Sequence, residues 1–159
     1  MKRNVRLLAV VACALYNEGG VILAQARKMG VKVPFVGGNG FNSPKVIEIA
    51  QDAAEGLIVA TPWFGEKNDP KVRAFVAKYE KAHGKKPDQF AAQAYDAFHI
   101  MANALKAAGS ADRSKLRDAL AATKNFQGVL GEFSFDAERD VVMAPNVLIV
   151  KGGKFTLFN

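Results

Sequence analysis

The stretch that decides the fold is residues 7–60, LLAVVACALYNEGGVILAQARKMGVKVPFVGGNGFNSPKVIEIAQDAAEGLIVA. It contains three short apolar runs, Leu7–Ala14, Pro34–Val36 and Leu57–Ala60, which are typical of buried strands. Segments of helical composition separate these runs. Because strands that alternate with helices form parallel sheets with right-handed crossovers, the stretch predicts a βαβαβ unit in an α/β fold.

Local signals mark the ends of the two helices in this unit. Asn17 is a candidate N-cap for a helix over Glu18–Met29, and Gly30 follows its end. A second helix is predicted from the cap-and-proline pair Ser43-Pro44 to about Gln51.

The first apolar run has two interpretations. As a strand, its continuous apolar character predicts burial on both faces of a parallel sheet, with Cys13 buried inside it. As a signal peptide, it would be the apolar segment after Lys2, Arg3 and Arg6, and Val10–Cys13 would resemble a lipoprotein attachment site. We favour the strand. No apolar run in the sequence reaches transmembrane length.

The remainder of the chain predicts a linker, three helices and three strands. Residues 61–68 break the alternation and indicate a linker between two structural units. Asp69-Pro70 is predicted to start the first helix, and Asp88 to cap a longer helix that runs through Ala108. Arg113–Ala122 is predicted to form a short third helix. The strands are predicted over Gly131–Phe135, Asn146–Lys151 and Lys154–Phe158, the last two joined as a hairpin by Gly152 and Gly153.

Two of these helices carry apolar stripes at helical spacing. The first stripe consists of Val72, Phe75, Val76 and Tyr79. The second, predicted to be the core face of the longer helix, consists of Phe90, Ala94, Ala97, Phe98, Met101 and Leu105.

Charge and side-chain chemistry exclude several classes of function. The net charge is +7 with a pI of about 9.6, but the basic residues are scattered and not interleaved with aromatic rings, so nucleic acid is not an expected partner. His83 and His99 have no metal-ligand partner at useful spacing, and no phosphate loop or nucleophile elbow occurs. We therefore expect no catalytic residues, no metal and no cofactor.

Ligands of open α/β sheets bind beyond the carboxyl ends of the strands, which here selects three turns. Tyr16 follows the first strand, and Asn39 lies in the glycine-rich turn after the second. The third turn contains Trp63 and Phe64, which are either a ligand platform or, as we prefer, a packed hinge. A tight turn with a helix cap remains the structural alternative for the Asn39 segment.

Ordered motifs carry a family resemblance across nearly the whole chain. They are Ala14–Gly20, Gly37–Phe41, Asp52–Gly56, Thr61–Phe64, Ala94–Ala97 and Gly131–Asp136. In this order they resemble the C-terminal part of a branched-chain amino-acid-type substrate-binding protein of an ABC transporter, a type I periplasmic binding protein.

The resemblance implies an α/β fold in which a parallel sheet with flanking helices forms part of a two-lobe architecture. Residues 7–62 would form a βαβαβ segment of the second lobe. Residues 63–146 would form a crossover and the helices of the first lobe, and residues 147–159 a hairpin that returns to the second lobe.

The resemblance also implies a function, partners and site residues. The chain would bind a small solute, such as an amino acid or a related carboxylate, deliver it to a membrane permease of an ABC importer, and act in the periplasm without enzymatic activity. The implied ligand-binding residues are Tyr16, Asn39, Phe41, Tyr95 and Asp96, and the implied hinge residues are Thr61, Pro62 and Trp63.

Two departures from the family pattern affect these expectations. Relatives often place an acidic residue where Asn39 stands, so amides, aromatic acids or other carboxylates are expected ligands beside simple amino acids. The resemblance covers little of the first lobe, so we expect the chain to be a fragment that binds solute weakly. Such a fragment is expected to self-associate, to pack its two apolar helices against the remaining lobe, or to be unstable. The alternative class of function is a small flavodoxin-like enzyme or nucleotide-binding regulatory domain.

Overall fold

The computed structural model describes residues 8–158, and the contacts among them divide the chain into two compact units. The first unit contains the chain up to Thr61 together with the segment from Pro145 onward. The second unit is Pro62–Ala144.

The first unit begins with the predicted alternation of strands and helices. Its elements are β1 (Val10–Ala12), α1 (Tyr16–Lys28), β2 (Phe35–Gly37), α2 (Pro44–Ala50) and β3 (Ile58–Thr61). β1 pairs with β2 and β2 with β3, both in parallel. The predicted βαβαβ order is confirmed, and Val10–Ala12 forms a strand as preferred. Leu7 and the three basic residues before it lie outside the described residues.

The ends of the two helices show how local sequence sets the turns. Ser43 caps α2 by accepting the N–H of Lys45 at 3.4 Å, with Pro44 at the first helical position, as predicted. α1 begins two residues earlier than predicted, with Leu15 at the cap position and Asn17 inside the helix. Gly30 has a φ of +82° just past α1, a conformation that glycine adopts without strain.

The second unit contains three helices and a small sheet. The helices are α3 (Pro70–His83), α4 (Gln89–Ala108) and α5 (Arg113–Ala121). Asp69 and Asp88 precede the first two as predicted, and Asp112 caps the third, a cap that was not predicted from the sequence. Asp69 accepts the backbone N–H groups of Lys71 and Val72, which lowers the pKa of its carboxyl group. The antiparallel sheet is formed by β4 (Phe126–Gln127), β5 (Glu132–Phe135) and β6 (Val141–Val142). The sequence predicted β5, but the two-residue strands β4 and β6 are too short to give a period-2 signal.

The core of the second unit confirms one predicted stripe and corrects the other. Val72 and Phe75 of α3 are buried with Trp63, Ala92 and Val129. On α4 the buried face includes Ala92, Asp96, Ile100 and Ala104, whereas all six residues of the predicted stripe are exposed. The stripe was misassigned because α4 is apolar around much of its circumference, and a helix of that kind does not reveal which face is buried.

The C-terminal hairpin completes the sheet of the first unit. β7 (Asn146–Lys151) and β8 (Lys154–Leu157) flank Gly152 and Gly153, both with positive φ, as predicted. β7 pairs antiparallel with β3, so the strand order is β1-β2-β3-β7-β8 and the sheet is mixed. The α/β class is as predicted, and the hairpin is the antiparallel exception in an otherwise parallel sheet.

Both helices of the first unit pack on the same face of this sheet. Leu23 of α1 and Val46 of α2 share one core cluster with Phe35, Val59 and Val150. Two right-handed crossovers that advance in the same direction place their helices on the same side, which explains the arrangement.

The expectation that β1 is covered on both faces is therefore wrong for the described residues. β1 is an edge strand, the side chain of Val11 is 74% exposed, and Cys13 is exposed rather than buried. The apolar run predicts the strand correctly. Its composition cannot distinguish a strand covered on both faces from this one, in which helices cover a single face.

Exposure of Cys13 gives a direct chemical prediction. We expect the native thiol to react with a small disulfide reagent at nearly the rate measured in denaturant, because the side chain is accessible without unfolding. Stopped-flow absorbance measures both rates, and Cys13→Ser gives the background because the sequence has a single cysteine. Labelling that waits for denaturation would show that Cys13 is covered.

Candidate functional site

The carboxyl ends of β1 and β2 bring two predicted ligand-binding segments together in the first unit. Asn39 begins the short 3-10 turn Asn39–Phe41 that follows β2, and Tyr16 is the first residue of α1 after β1. A Cβ atom added at Gly40 would lie 2.6 Å from the carbonyl oxygen of Ala14. The two turns are therefore in van der Waals contact, and glycine at position 40 permits this approach.

The two side chains differ in their surroundings. Tyr16 is half-buried and packs against the core cluster of the first unit. The Asn39 side chain is exposed. Nearby, the hydrogen bond and attraction from Glu48 raise the pKa of the Lys45 ammonium. An amide and a phenol at one strand edge can donate and accept hydrogen bonds to a small polar solute.

Phe41, which the resemblance placed among the ligand-binding residues, is a core residue in this structure. It is fully buried, and its ring lies between Gly19 and Gly37, where an added Cβ would collide with it. A ring with no exposed surface offers no contact to a ligand, so this prediction is corrected. Phe41 instead holds the glycine turn against α1.

A buried polar cluster at the end of β3 was missed by sequence reasoning. Asn42 donates from Nδ2 to Thr61 Oγ1 at 2.8 Å, and Asn146 donates from Nδ2 to the Thr61 carbonyl oxygen at 3.5 Å. Asn42 and Thr61 are both buried. The cluster ties the turn after β2 to β3 and β7. The signal available in the sequence was the position of Asn42 between the glycine turn and a helix cap.

The predicted hinge residues fall at the boundary of the two units. Thr61 is the last residue of β3, and Pro62 is the first residue of the second unit. Trp63 is buried in the core of the second unit and makes an edge-to-face contact with Phe75 at 5.8 Å between ring centroids. Its burial favours the packed alternative over a ligand platform, while the hinge itself stays a prediction.

The two remaining candidates lie next to each other on α4 in the second unit. The Tyr95 ring is partly exposed. Its centroid lies 4.7 Å from that of the Phe75 ring and 4.5 Å from that of the His99 ring. It borders a depression of about 350 Å³ whose polar lining includes Lys71, Lys78 and Asn103.

Asp96 has a structural role rather than the predicted ligand contact. Its carboxylate is 2% exposed, and its two oxygens accept the backbone N–H groups of Val129 and Leu130, each at 2.9 Å. A Cβ at Gly128 would collide with this carboxylate. Because both oxygens are used inside the unit, Asp96 fixes the turn between β4 and β5, and its predicted role is corrected.

Other kinds of site are not assembled in the part of the chain that the structure describes. Within residues 8–158, no three His, Cys, Asp or Glu side chains come together as a metal site. His83 and His99 each pack against a tyrosine ring one helical turn away. No helix among the described residues combines the length and apolarity needed to cross a bilayer.

Comparison with known proteins identifies the family. The family model described as periplasmic binding protein matches residues 8–153. The chain belongs to this family. Among curated relatives, a Leu/Ile/Val-binding protein homolog of Brucella abortus is 34% identical over 150 residues, a match that covers 91% of this chain and 39% of the relative.

Solved periplasmic binding proteins share the fold. A leucine-binding protein from Thermotoga maritima aligns with a TM-score of 0.85 at 32% identity, over 95% of this chain and 43% of that one. A branched-chain amino acid transporter substrate-binding protein from Streptococcus pneumoniae, in complex with isoleucine, aligns with a TM-score of 0.83 at 35% identity. This alignment covers 97% of this chain and 44% of that one. The chain thus spans about two fifths of the length of these relatives. These matches favour the binding-protein interpretation over a flavodoxin-like enzyme or regulatory domain.

Proposed function

We propose that this chain forms part of the solute-binding cleft of an ABC importer's binding protein, for branched-chain amino acids or related small carboxylates and amides. The observation that carries the proposal is the contact between the Tyr16 and Asn39 turns at the carboxyl edge of the sheet. Relatives named for leucine, isoleucine and valine support the solute class.

The chemistry of the site favours ligands that need a hydrogen-bonding edge rather than a charge partner. Asn39 offers both a donor and an acceptor but no negative charge to meet an ammonium group. A simple α-amino acid would therefore find this edge less complementary than a neutral amide or an aromatic carboxylate. The half-buried Tyr16 ring supplies apolar surface beside these polar groups.

The division into two units supports the proposed lobes. The first unit would belong to one lobe of the full binding protein and the second unit to the other, with Pro62 near the hinge. Tyr95 is the proposed contact from the second unit, because it is partly exposed beside a depression. Delivery to a membrane permease, a periplasmic location, and the absence of enzymatic activity and cofactors follow from the family and belong to this proposal.

Removing the two proposed contacts should weaken solute binding without unfolding the chain. We expect Tyr16→Phe and Asn39→Ala each to lose a hydrogen bond worth about 1–3 kcal/mol, which is roughly 5- to 150-fold in affinity. Leucine, leucinamide and benzoate would be titrated into isotope-labelled protein, and amide chemical shifts would report both the affinity and the place of binding. The isolated chain should bind weakly, because it spans only part of its relatives' length.

A matched control shows whether a loss of affinity comes from the proposed site or from any substitution of an exposed polar residue. Asn68→Ala changes an exposed asparagine in the second unit that lies in neither turn and does not line the depression beside Tyr95, and it should leave the affinity unchanged. If the titrations give wild-type affinity for both Tyr16→Phe and Asn39→Ala, these two residues do not contact the solute.

A further inference from the structure

The buried hydrogen bond between Asn42 and Thr61 lies next to the proposed solute site without being part of its binding surface. Asn42 Nδ2 donates to Thr61 Oγ1 at 2.8 Å, and both residues are buried. The two residues are 19 positions apart in the sequence. The bond therefore joins the turn that follows β2 to the carboxyl end of β3.

The backbone of the turn connects Asn42 to the proposed contact residue Asn39. The N–H group of Asn42 donates to the carbonyl oxygen of Asn39 at 3.0 Å. Asn39 is exposed, whereas residues 40–43 are all buried. The exposed side chain of Asn39 thus stands on a buried base, and a shift of Asn42 in that base would shift Asn39 with it.

Apolar and steric contacts hold the same turn without giving it a direction. The Phe41 ring packs between two glycines, and Gly40 lies against the carbonyl oxygen of Ala14. Hydrophobic contacts are non-directional, whereas a hydrogen bond weakens steeply as its angle departs from linear. The bond from Asn42 to Thr61 therefore adds a directional constraint that the apolar contacts do not supply.

The acceptor of this bond is itself held by two strands. Thr61 is the last residue of β3 and is paired in register with Asn146 of β7. The side chain of Asn146 also donates from Nδ2 to the Thr61 carbonyl oxygen at 3.5 Å. Thr61 is thus a fixed point of the sheet to which the turn is tied.

Local structure does not require an amide at position 42. The helix that follows is capped by Ser43, whose side chain accepts the N–H of Lys45. An apolar side chain in this buried place would avoid the cost of removing an amide from water. A buried polar bond instead favours one arrangement of the chain over its alternatives, because only that arrangement satisfies it.

We propose that Asn42 is a positioning residue for the solute site, and that its bond to Thr61 sets the direction in which the Asn39 side chain meets the solute. This inference rests on the proposed function, because it concerns the contact that Asn39 makes there. Asn42 is buried and acts through Asn39 rather than by touching the solute. A turn that is already ordered binds more tightly, because the solute does not have to order it.

Solute titrations of variants at positions 42 and 61 test this role. Thr61→Val nearly keeps the shape of the side chain but removes the acceptor oxygen, and Thr61→Ser keeps that oxygen. We expect Thr61→Val to weaken the binding of leucine, leucinamide and benzoate about tenfold, the effect of one lost hydrogen bond. Asn42→Ala removes the donor and should lose as much, whereas Thr61→Ser should bind nearly as tightly as the wild type.

A double variant shows whether the effect passes through Asn39. Once Asn39→Ala has removed the side chain that is being aligned, adding Thr61→Val should cost little further affinity. Losses that are additive in Asn39→Ala/Thr61→Val would show that the bond affects binding by another route. That result would contradict the positioning role.

Val150→Ala is the matched control for a general loss of stability. Val150 is buried in the core of the first unit, and its N–H group donates to Leu57, at the opposite end of β3 from Thr61. We expect this variant to lower the urea midpoint of the first unit and to keep wild-type affinity while it is folded. Affinity losses that follow the midpoint shifts in both Val150→Ala and Thr61→Val would show that the bond contributes stability alone.

The titrations distinguish failure of this inference from failure of the proposed function. Loss of affinity in Asn39→Ala without any loss in Thr61→Val would overturn the positioning role and leave the solute site in place. If the wild type bound none of the three solutes, the proposed function would be contradicted and this inference with it.

Discussion

Asp96→Ala should destabilise the second unit by about 3 kcal/mol, a large fraction of the roughly 5–15 kcal/mol that stabilises a typical domain. The substitution leaves the N–H groups of Val129 and Leu130 without their acceptor in a buried place, and each unsatisfied group costs about 1–3 kcal/mol. Urea unfolding followed by Trp63 fluorescence measures this effect. Trp63 is the only tryptophan of the sequence and shares a buried cluster with Val129.

Two further variants show whether the loss comes from these hydrogen bonds. Asp96→Asn keeps one carbonyl acceptor in the same place and should lose about half as much stability. Asp118→Ala removes an exposed carboxylate that pairs with Arg117 and should cost about 1 kcal/mol or less. A midpoint shift for Asp96→Ala no larger than that for Asp118→Ala would contradict the structural role assigned to Asp96.

Phe41→Ala should destabilise the first unit by about 3–5 kcal/mol, the usual range for removing a buried phenylalanine ring. Urea unfolding followed by far-UV circular dichroism is the measurement, because the single tryptophan lies in the other unit. Phe98→Ala is the matched control and should change the stability little, because that ring is exposed.

The glycine next to this ring provides a second test of the same contact. A Cβ at Gly37 would lie 2.6 Å from Phe41 Cγ, so Gly37→Ala alone should destabilise the first unit. In the double variant Gly37→Ala/Phe41→Ala, the small side chain at position 41 leaves room for the new methyl group. The loss of stability in this variant should therefore be less than the sum of the losses in the two single variants. Additive losses would show that the two positions do not contact each other.

The sequence by itself determined most of the helices and strands and many of their ends. Aspartate and serine caps, Pro44 and Pro70 at first helical positions, and Gly84 and Gly109 after helices mark boundaries through hydrogen bonds and backbone conformations that span a few residues. The strands of the first unit and the hairpin follow from apolar runs between turns. The order of strands and helices then specified the parallel pairing of β1, β2 and β3.

Parts of the candidate site could also be predicted in this way, because they follow from strand order. Tyr16 and Asn39 follow neighbouring parallel strands, so their turns had to meet at one edge of the sheet. The roles of Phe41 and Asp96 could not be predicted. The role of Phe41 depends on Gly19 and Gly37, which are distant from each other in sequence. The role of Asp96 depends on backbone N–H groups more than thirty residues away.

Which face of an element is buried was decided only by the tertiary structure. β1 and α4 are apolar on more than one side, so their sequences fit burial of either face equally well. Right-handed crossovers placed α1 and α2 on one side of the sheet and left Val11 exposed. Packing against the rest of the second unit buried Ile100 and left Phe98 in solvent. Burial depends on contacts between segments far apart along the chain, and periodicity within one segment does not contain that information.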